Sequence, residues 1–348
     1  MLGAALESEA QAKPIRPVVV ALCDVSPRNL KRGLEIVDDA RSSACVQAPG
    51  AAEGHRPKGF TEYRALLDER EVDAVFIATP VHLHASQVVA ALAAGKHVYC
   101  EKPLATSVEG CRDVLLAARA ASSAGLRFQV GLQRRYSPRY RESLRFLHGG
   151  EAGRVLFVRA QWHAAGNSPK DKPWLFQRDK SGDMVLEQGC HQFDIFNWVF
   201  QSVPLRACGL GGTSRYAGEP AGRDTMDHYG AILEYPGDAK VLLSHLTFAL
   251  PDRRFSGIYE LAFAEKVGVD LGGAVSWTES GETRQLLAGA QGASDTDLAL
   301  EGFLESVATD AEPRASAEVG YRATLAALLC RKALEARRTV EWKEIEPA

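Results

Sequence analysis

Short, almost wholly apolar β-branched runs alternate with amphipathic segments through the first 130 residues, and this alternation most limits what the chain can fold into. The runs are Val18-Val19-Val20-Ala21-Leu22, a stretch near Phe60, Asp73-Ala74-Val75-Phe76-Ile77-Ala78, His97-Val98-Tyr99-Cys100 and Leu126-Arg127-Phe128-Gln129-Val130. Strands that alternate with helices pair in parallel and build a doubly wound sheet. Strands buried on both faces of such a sheet carry few polar residues, as these do. The expected fold class is therefore α/β with a Rossmann-type parallel sheet. Its ligands bind beyond the carboxyl ends of the strands. Asp24, Thr79-Pro80 and Glu101-Lys102-Pro103 stand at those ends.

From residue 155 to about residue 271 the pattern changes to strand-like segments with frequent turns: Val155 to Trp162, Tyr229 to Tyr235, Lys240 to Phe248 and Gly257 to Phe263. This alternation predicts an antiparallel sheet. Helical periodicity returns over residues 297–308 and 317–337. A length of 348 residues suits two domains. We place the first at residues 1–130, as the dinucleotide-binding lobe, and the second at residues 131–348.

Charge narrows the partners. Lys plus Arg total 41 against 44 Asp plus Glu, a net charge of −3, so no basic excess is present to neutralise a nucleic acid. A small, roughly neutral ligand is expected. Apolar runs such as Val88 to Ala94 are far shorter than the roughly 20 residues a membrane span needs. The seven cysteines (23, 45, 100, 111, 190, 208 and 330) lack C-x-x-C spacing. A reducing, cytoplasmic setting is expected.

Asp24 ends the first apolar run, where a carboxylate can bind the adenosine ribose of NAD or cap the helix from Pro27 onward. The glycine fingerprint of a dinucleotide site belongs about 20 residues upstream of such an acid. Met1-Leu2-Gly3-Ala4-Ala5-Leu6 stands there instead, with no G-x-G-x-x-G. We read residues 1–12 as the remainder of the helix that follows a glycine loop. On that reading the first, central strand is absent from the sheet, and the chain alone is expected to hold a dinucleotide weakly.

Three strings follow in a fixed order: Val72 to Pro80, then His82-Leu83-His84, then Ala94-Gly95-Lys96-His97-Val98-Tyr99-Cys100-Glu101-Lys102-Pro103. Together with Gly189-Cys190-His191 through Trp198, they resemble the glucose-fructose oxidoreductase / inositol dehydrogenase (Gfo/Idh/MocA) family. The likeness runs from Ala21 to about Trp342. It implies a Rossmann domain followed by an α/β domain with a large open, mainly antiparallel sheet. It also implies oxidation or reduction of a sugar, inositol or related polyol, with NAD as cofactor and NADP less favoured because Asp24 would repel a 2′-phosphate. A homo-oligomer, dimer or tetramer, is expected.

Hydride removal from a secondary alcohol needs a group to take the hydroxyl proton and positive charge near the oxygen. Lys102, fixed before Pro103, is the candidate for the charge or a proton relay. Glu187, His191, Asp194 and Trp198 are spaced 4, 3 and 4 residues apart, which places them on one helix stripe. His191 is the candidate acid/base, with the Glu187 carboxylate one turn away to orient it. Relatives commonly carry Asp where this chain has Glu187. Trp198 reads as core packing.

The resemblance assigns Thr79, Pro80, His84, Glu101, Lys102 and Gln133 to the cofactor cleft beside Asp24; His84 also suits a helix cap. Arg134, Trp162, Trp174, Asp194 and His228 are the candidate substrate contacts, the tryptophans by stacking on the apolar face of a sugar. His82 and His84 form an H-x-H pair without cysteine or carboxylate at ligand-like spacing, so no metal is expected. Two other readings remain: an NAD-dependent glycosidase acting by transient C3 oxidation and elimination, and a non-catalytic relative.

Overall fold

The computed structural model describes residues 17–42, 56–165, 172–288 and 292–346. The first lobe runs β1 (Ala21–Cys23), α1 (Pro27–Ser42), β2 (Lys58–Phe60), α2 (Tyr63–Leu67), β3 (Ala74–Ile77), α3 (His84–Ala93), β4 (His97–Cys100), α4 (Val108–Ser123) and β5 (Phe128–Val130). All five runs expected as strands are strands, and every pairing among them is parallel. β1 begins at Ala21 rather than Val18, and Val18 and Val19 are exposed. Among the described residues the parallel strands fall into two groups, β1-β2 and β3-β4-β5, and no strand joins β1 to β3. The sequence reading of residues 1–12 lies outside the described residues.

The second lobe follows as α5 (Pro138–His148), β6 (Val155–Ala165), α6 (Arg178–Ser181), α7 (Met184–Glu187), α8 (Cys190–Phe200), β7 (Arg206–Gly212), β8 (His228–Tyr235), β9 (Ala239–Ala249), β10 (Gly257–Ala264), β11 (Val267–Asp270), β12 (Val275–Thr278), β13 (Thr283–Gln285), α9 (Asp295–Thr309), α10 (Ala317–Ala336) and β14 (Val340–Glu341). Nine strands form one sheet in the order β13-β12-β11-β10-β6-β9-β8-β7-β14. Only β6 and β9 pair in parallel; the other pairings are antiparallel.

Strand alternation decides which face is covered. Val158, Ala160, Ala231, Leu233, Val241 and Leu243 point inward and are buried under α8 and α10. The partners between them, including Ile232, Leu242 and Phe263, point outward and are exposed. α10 also ties the lobes together, packing on α4 and β5 of the first lobe and on α8 and β7 of the second. From α9, Phe303 wedges edge-on against Phe76 and Tyr99 of the parallel sheet. The helices that follow the large sheet therefore return to the first lobe and hold its carboxyl edge against α7 and α8.

Candidate active site

At the end of β4 the chain enters Glu101-Lys102-Pro103. Glu101 is packed so closely on Gly131 that a Cβ there would lie 2.7 Å from its carboxylate, which explains the glycine. Burial raises the Glu101 carboxyl above its usual range, although the Lys102 charge opposes the shift. The Lys102 ammonium reaches across to the second lobe, donating to the Glu187 carboxylate at 3.1 Å and to the Glu187 backbone carbonyl.

His84 braces this loop from below. Its Nδ1 lies 2.7 Å from the Pro103 carbonyl and its Nε2 2.8 Å from the Thr79 carbonyl. A neutral ring can donate to only one of them. Burial nevertheless lowers the pKa of the ring, outweighing both backbone contacts. With both nitrogens committed to carbonyls, His84 is a strut under the cleft rather than a free ligand donor. Thr79 donates to Gln87 at 2.8 Å and Pro80 leads into the turn before α3.

The single helix stripe expected for Glu187, His191, Asp194 and Trp198 is broken. Glu187 ends α7 and the other three lie on α8, separated by Gln188 and Gly189. Both the Gln188 and Gly189 amides donate to the Met184 carbonyl, the second being an i to i−5 bond that shifts the helical phase. Glu187 therefore faces Lys102 rather than His191. The Nδ1 of His191 is buried without a hydrogen-bond partner. Burial, then the charges of Lys102 and Arg134, holds its pKa well below the usual histidine value, so the ring is neutral.

His191 lies parallel to Trp162 of β6, with ring centroids 6.1 Å apart and planes 10° apart. The register places Trp162 opposite His245, and His245 opposite Tyr229, on the inner face. These rings stack in turn, at 6.3 Å and 4.9 Å. The Arg134 guanidinium sits 5.7 Å from the centre of the Trp162 ring and 2.7 Å from Glu260, which is fully buried. Glu260 also accepts from Gln192 and from Tyr140, each at 2.8 Å. Lys102, Glu187, His191, Trp162 and Arg134 thus form one group where the two lobes meet.

The remaining candidates stand apart from that group. Asp194 accepts from Arg135 at 2.8 to 3.0 Å, and the same guanidinium lies over Trp198. A fully buried carboxylate spent on that pair is structural rather than a sugar contact, and Trp198 packs against the core as expected. His228 points to the opposite face of the sheet from Tyr229, and its Nδ1 lies 2.6 Å from Asp227. Trp174 sits half-buried in the turn Pro173–Phe176. Gln133 opens the turn that carries Arg134. Just past β1, in the separate β1-β2 pair, Asp24 accepts from the Ser26 amide at 2.7 Å in a turn leading into α1.

Sequence reasoning missed Glu260, Gln192 and His245. The available signal was a polar residue at an inward position of an otherwise apolar alternation, as in Ile258-Tyr259-Glu260-Leu261 and Leu243-Ser244-His245.

The model of the oxidoreductase family with an NAD-binding Rossmann fold matches residues 21–132, and the GFO/IDH/MocA C-terminal domain matches residues 140–258. The chain belongs to the Gfo/Idh/MocA oxidoreductase family. A 1,5-anhydro-D-fructose reductase from Ensifer adhaerens is 32% identical over 51% of this chain and 53% of its own length. An inositol 2-dehydrogenase 2 from Saccharopolyspora erythraea is 34% identical over 47% and 44%. The chain spans about half the length of these curated relatives. A levoglucosan dehydrogenase solved with NADH and levoglucosan shares the fold at a TM-score of 0.78, covering 94% of this chain and 91% of that one at 17% identity.

Proposed function

We propose that this protein moves hydride between a nicotinamide dinucleotide, NAD rather than NADP, and a secondary hydroxyl of a sugar, inositol or related polyol. The observation that carries the reading is the Lys102 ammonium held by Glu187 at the carboxyl end of β4, its charge acting on a neutral, buried His191 that is stacked on Trp162. The relatives named for inositol and anhydrosugar chemistry support the substrate class.

The donor set suits the cofactor at its two ends. Asp24 would take the adenosine ribose, and Thr79, Pro80, Glu101 and Gln133 would line the cleft toward the nicotinamide. When bound, the dinucleotide supplies the hydride acceptor. The chain supplies the rest. Lys102, held by Glu187, places positive charge where the substrate oxygen becomes negative. His191, kept neutral, has a lone pair to accept the hydroxyl proton. Trp162 offers a flat apolar surface for the ring carbons of the substrate, and Arg134 with Glu260 holds that surface in place.

The reading is tested by incubating the protein with NAD and a panel of polyols and sugars and following reduced nicotinamide. Oxidation of at least one polyol with a matching keto product supports it. Release of an aglycone from a glycoside with no net NADH would favour the glycosidase reading instead.

The outward face of the large sheet carries Leu210, Ile232, Leu242, Phe263 and Trp277, between 40% and 57% exposed, with Ile232 directly opposite Leu242 and Gly268 between Phe263 and Trp277. So many exposed apolar side chains on one face suit contact with a second copy, as a dimer or tetramer. Light scattering of the pure protein tests this, and a monomer at micromolar concentration would contradict it. The six described cysteines are free thiols, which suits a reducing compartment such as the cytoplasm.

A further inference from the structure

Asp183 occupies backbone space that side chains avoid. Its φ of 78° and ψ of 165° lie in a region populated essentially by glycine, and it directly follows Gly182, also at positive φ. The carboxylate is fully buried as well. Two unfavourable features at one residue persist only where the surroundings over-determine it.

The compensation is local and specific. The Asp183 carboxylate accepts from the Met184 amide at 2.7 Å, at the start of α7. It also accepts from the Met226 amide at 3.1 and 3.3 Å, just ahead of β8. Both amides are buried and would otherwise lack this acceptor. Arg178 of α6 lies 3.6 Å from the same carboxylate. The main-chain carbonyl of Asp183 accepts from Leu186 at 3.1 Å and from Glu187 at 3.0 Å. One residue therefore fixes α7 at both ends of its single turn and moors it to the large sheet. Arg331 of α10 completes the join, donating to the carbonyls of Gly182 and of Thr106, four residues beyond Lys102, each at 3.2 Å.

We propose that Asp183 is a positioning residue for the active site: it holds Glu187 at the height and angle that keep the Lys102 ammonium aimed at the reacting centre. A glycine would take the backbone conformation without strain but would leave the Met184 and Met226 amides unbound. Asparagine keeps the Oδ1 that accepts from both amides but puts an NH2 in place of the Oδ2 that faces Met226 and Arg178. The proposal rests on the reading of Lys102 and Glu187 as site residues.

The test compares Asp183→Gly and Asp183→Asn with the unaltered chain by site-resolved hydrogen exchange, with thermal unfolding measured alongside. In Asp183→Gly, exchange at Leu186, Glu187 and Met226 is expected to rise at least about tenfold while the central β9 amides Val241 and Leu243 keep their protection. Asp183→Asn, which keeps Oδ1 for both amides, restores part of that protection, at Leu186 and Glu187 above all. Under conditions where the unaltered protein oxidises a polyol, kcat falls in Asp183→Gly, KM for NAD stays unchanged and Asp183→Asn recovers turnover. Unchanged exchange at Leu186 and Glu187, or a rise shared equally by β9, would overturn the proposal. So would an unchanged kcat. A chain that turns over no polyol contradicts the dehydrogenase reading alone, and the exchange pattern then decides the positioning role.

Discussion

Lys102 and Glu187 form the bond that joins the two lobes at the cleft: one ammonium donates to both the side chain and the main chain of a single residue 85 positions away. Both side chains are largely buried, 11% and 20% exposed. The lysine is thereby held at one point by an anchor on the opposite lobe. Its charge can be aimed at a substrate oxygen without reorganisation as the hydroxyl gives up its proton and the carbinol carbon its hydride.

Removing that charge should abolish most turnover while leaving the fold intact. For Lys102→Ala we expect kcat to fall by on the order of 100-fold or more, in the range seen when a preorganised electrostatic group is deleted. Far-ultraviolet circular dichroism and thermal unfolding check the fold, and steady-state kinetics on a validated polyol checks the rate. Unchanged turnover in the folded variant contradicts the assignment.

Glu260 offers a test of the platform beneath the site. It is fully buried and accepts from Arg134, Gln192 and Tyr140. Glu260→Ala leaves the Arg134 guanidinium uncompensated and should cost about 3 to 5 kcal/mol in denaturant unfolding. Replacing both partners together, with Arg134→Met and Glu260→Leu, should recover much of that loss. A loss below about 1 kcal/mol for the single change, the size of an exposed pair, would mean that the ion pair is solvated in solution.

His245 makes acid stability measurable at one residue. It is fully buried with neither ring nitrogen bonded, and burial lowers its pKa to about 3. The unfolded chain takes up a proton at this residue near pH 6.5 while the folded chain does not, so stability falls as pH drops below 6.5. At pH 5 the contribution of this one group is about 2 kcal/mol. His245→Phe should flatten the decline between pH 6.5 and 4 by close to one proton in slope. Superimposable pH-stability curves for the two proteins would contradict the buried, neutral state.

Much of this was legible in the residues because burial on both faces leaves a plain mark. The five parallel strands were readable from apolar runs ended by Asp24, Thr79 and Lys102, and the long strands of the second lobe from their alternation. Lys102 and His191, the residues proposed for the chemistry, were singled out by motif. The partner of Glu187 was not, since helical spacing assumes an unbroken helix and the phase shift at Gln188 and Gly189 turns the carboxylate toward the other lobe. The Arg135 partner of Asp194 and the Asp227 partner of His228 went unread for a related reason. Spacing tells which face of an element a residue occupies, but not which cation or carboxylate packs against that face. Strands β11 to β14 are too short and too polar to announce themselves.

Asp24 bears on cofactor choice. A carboxylate at the end of β1 can bond ribose hydroxyls and would repel a 2′-phosphate, with Arg28 four residues on as the nearest competing influence. NAD is therefore expected to bind more tightly than NADP in competitive titration. Tighter NADP binding would contradict the placement of Asp24 at the ribose.

The central claim, hydride transfer at the Lys102 and His191 centre, is tested most directly by turnover. The decisive measurement is the formation of reduced nicotinamide from NAD by the protein with a panel of sugars, inositols and related polyols, run beside its Lys102→Ala and His191→Ala variants. The account predicts polyol-dependent reduction of NAD that both substitutions remove. Tight NAD binding with no reduction by any polyol, or reduction that survives both substitutions, would contradict it.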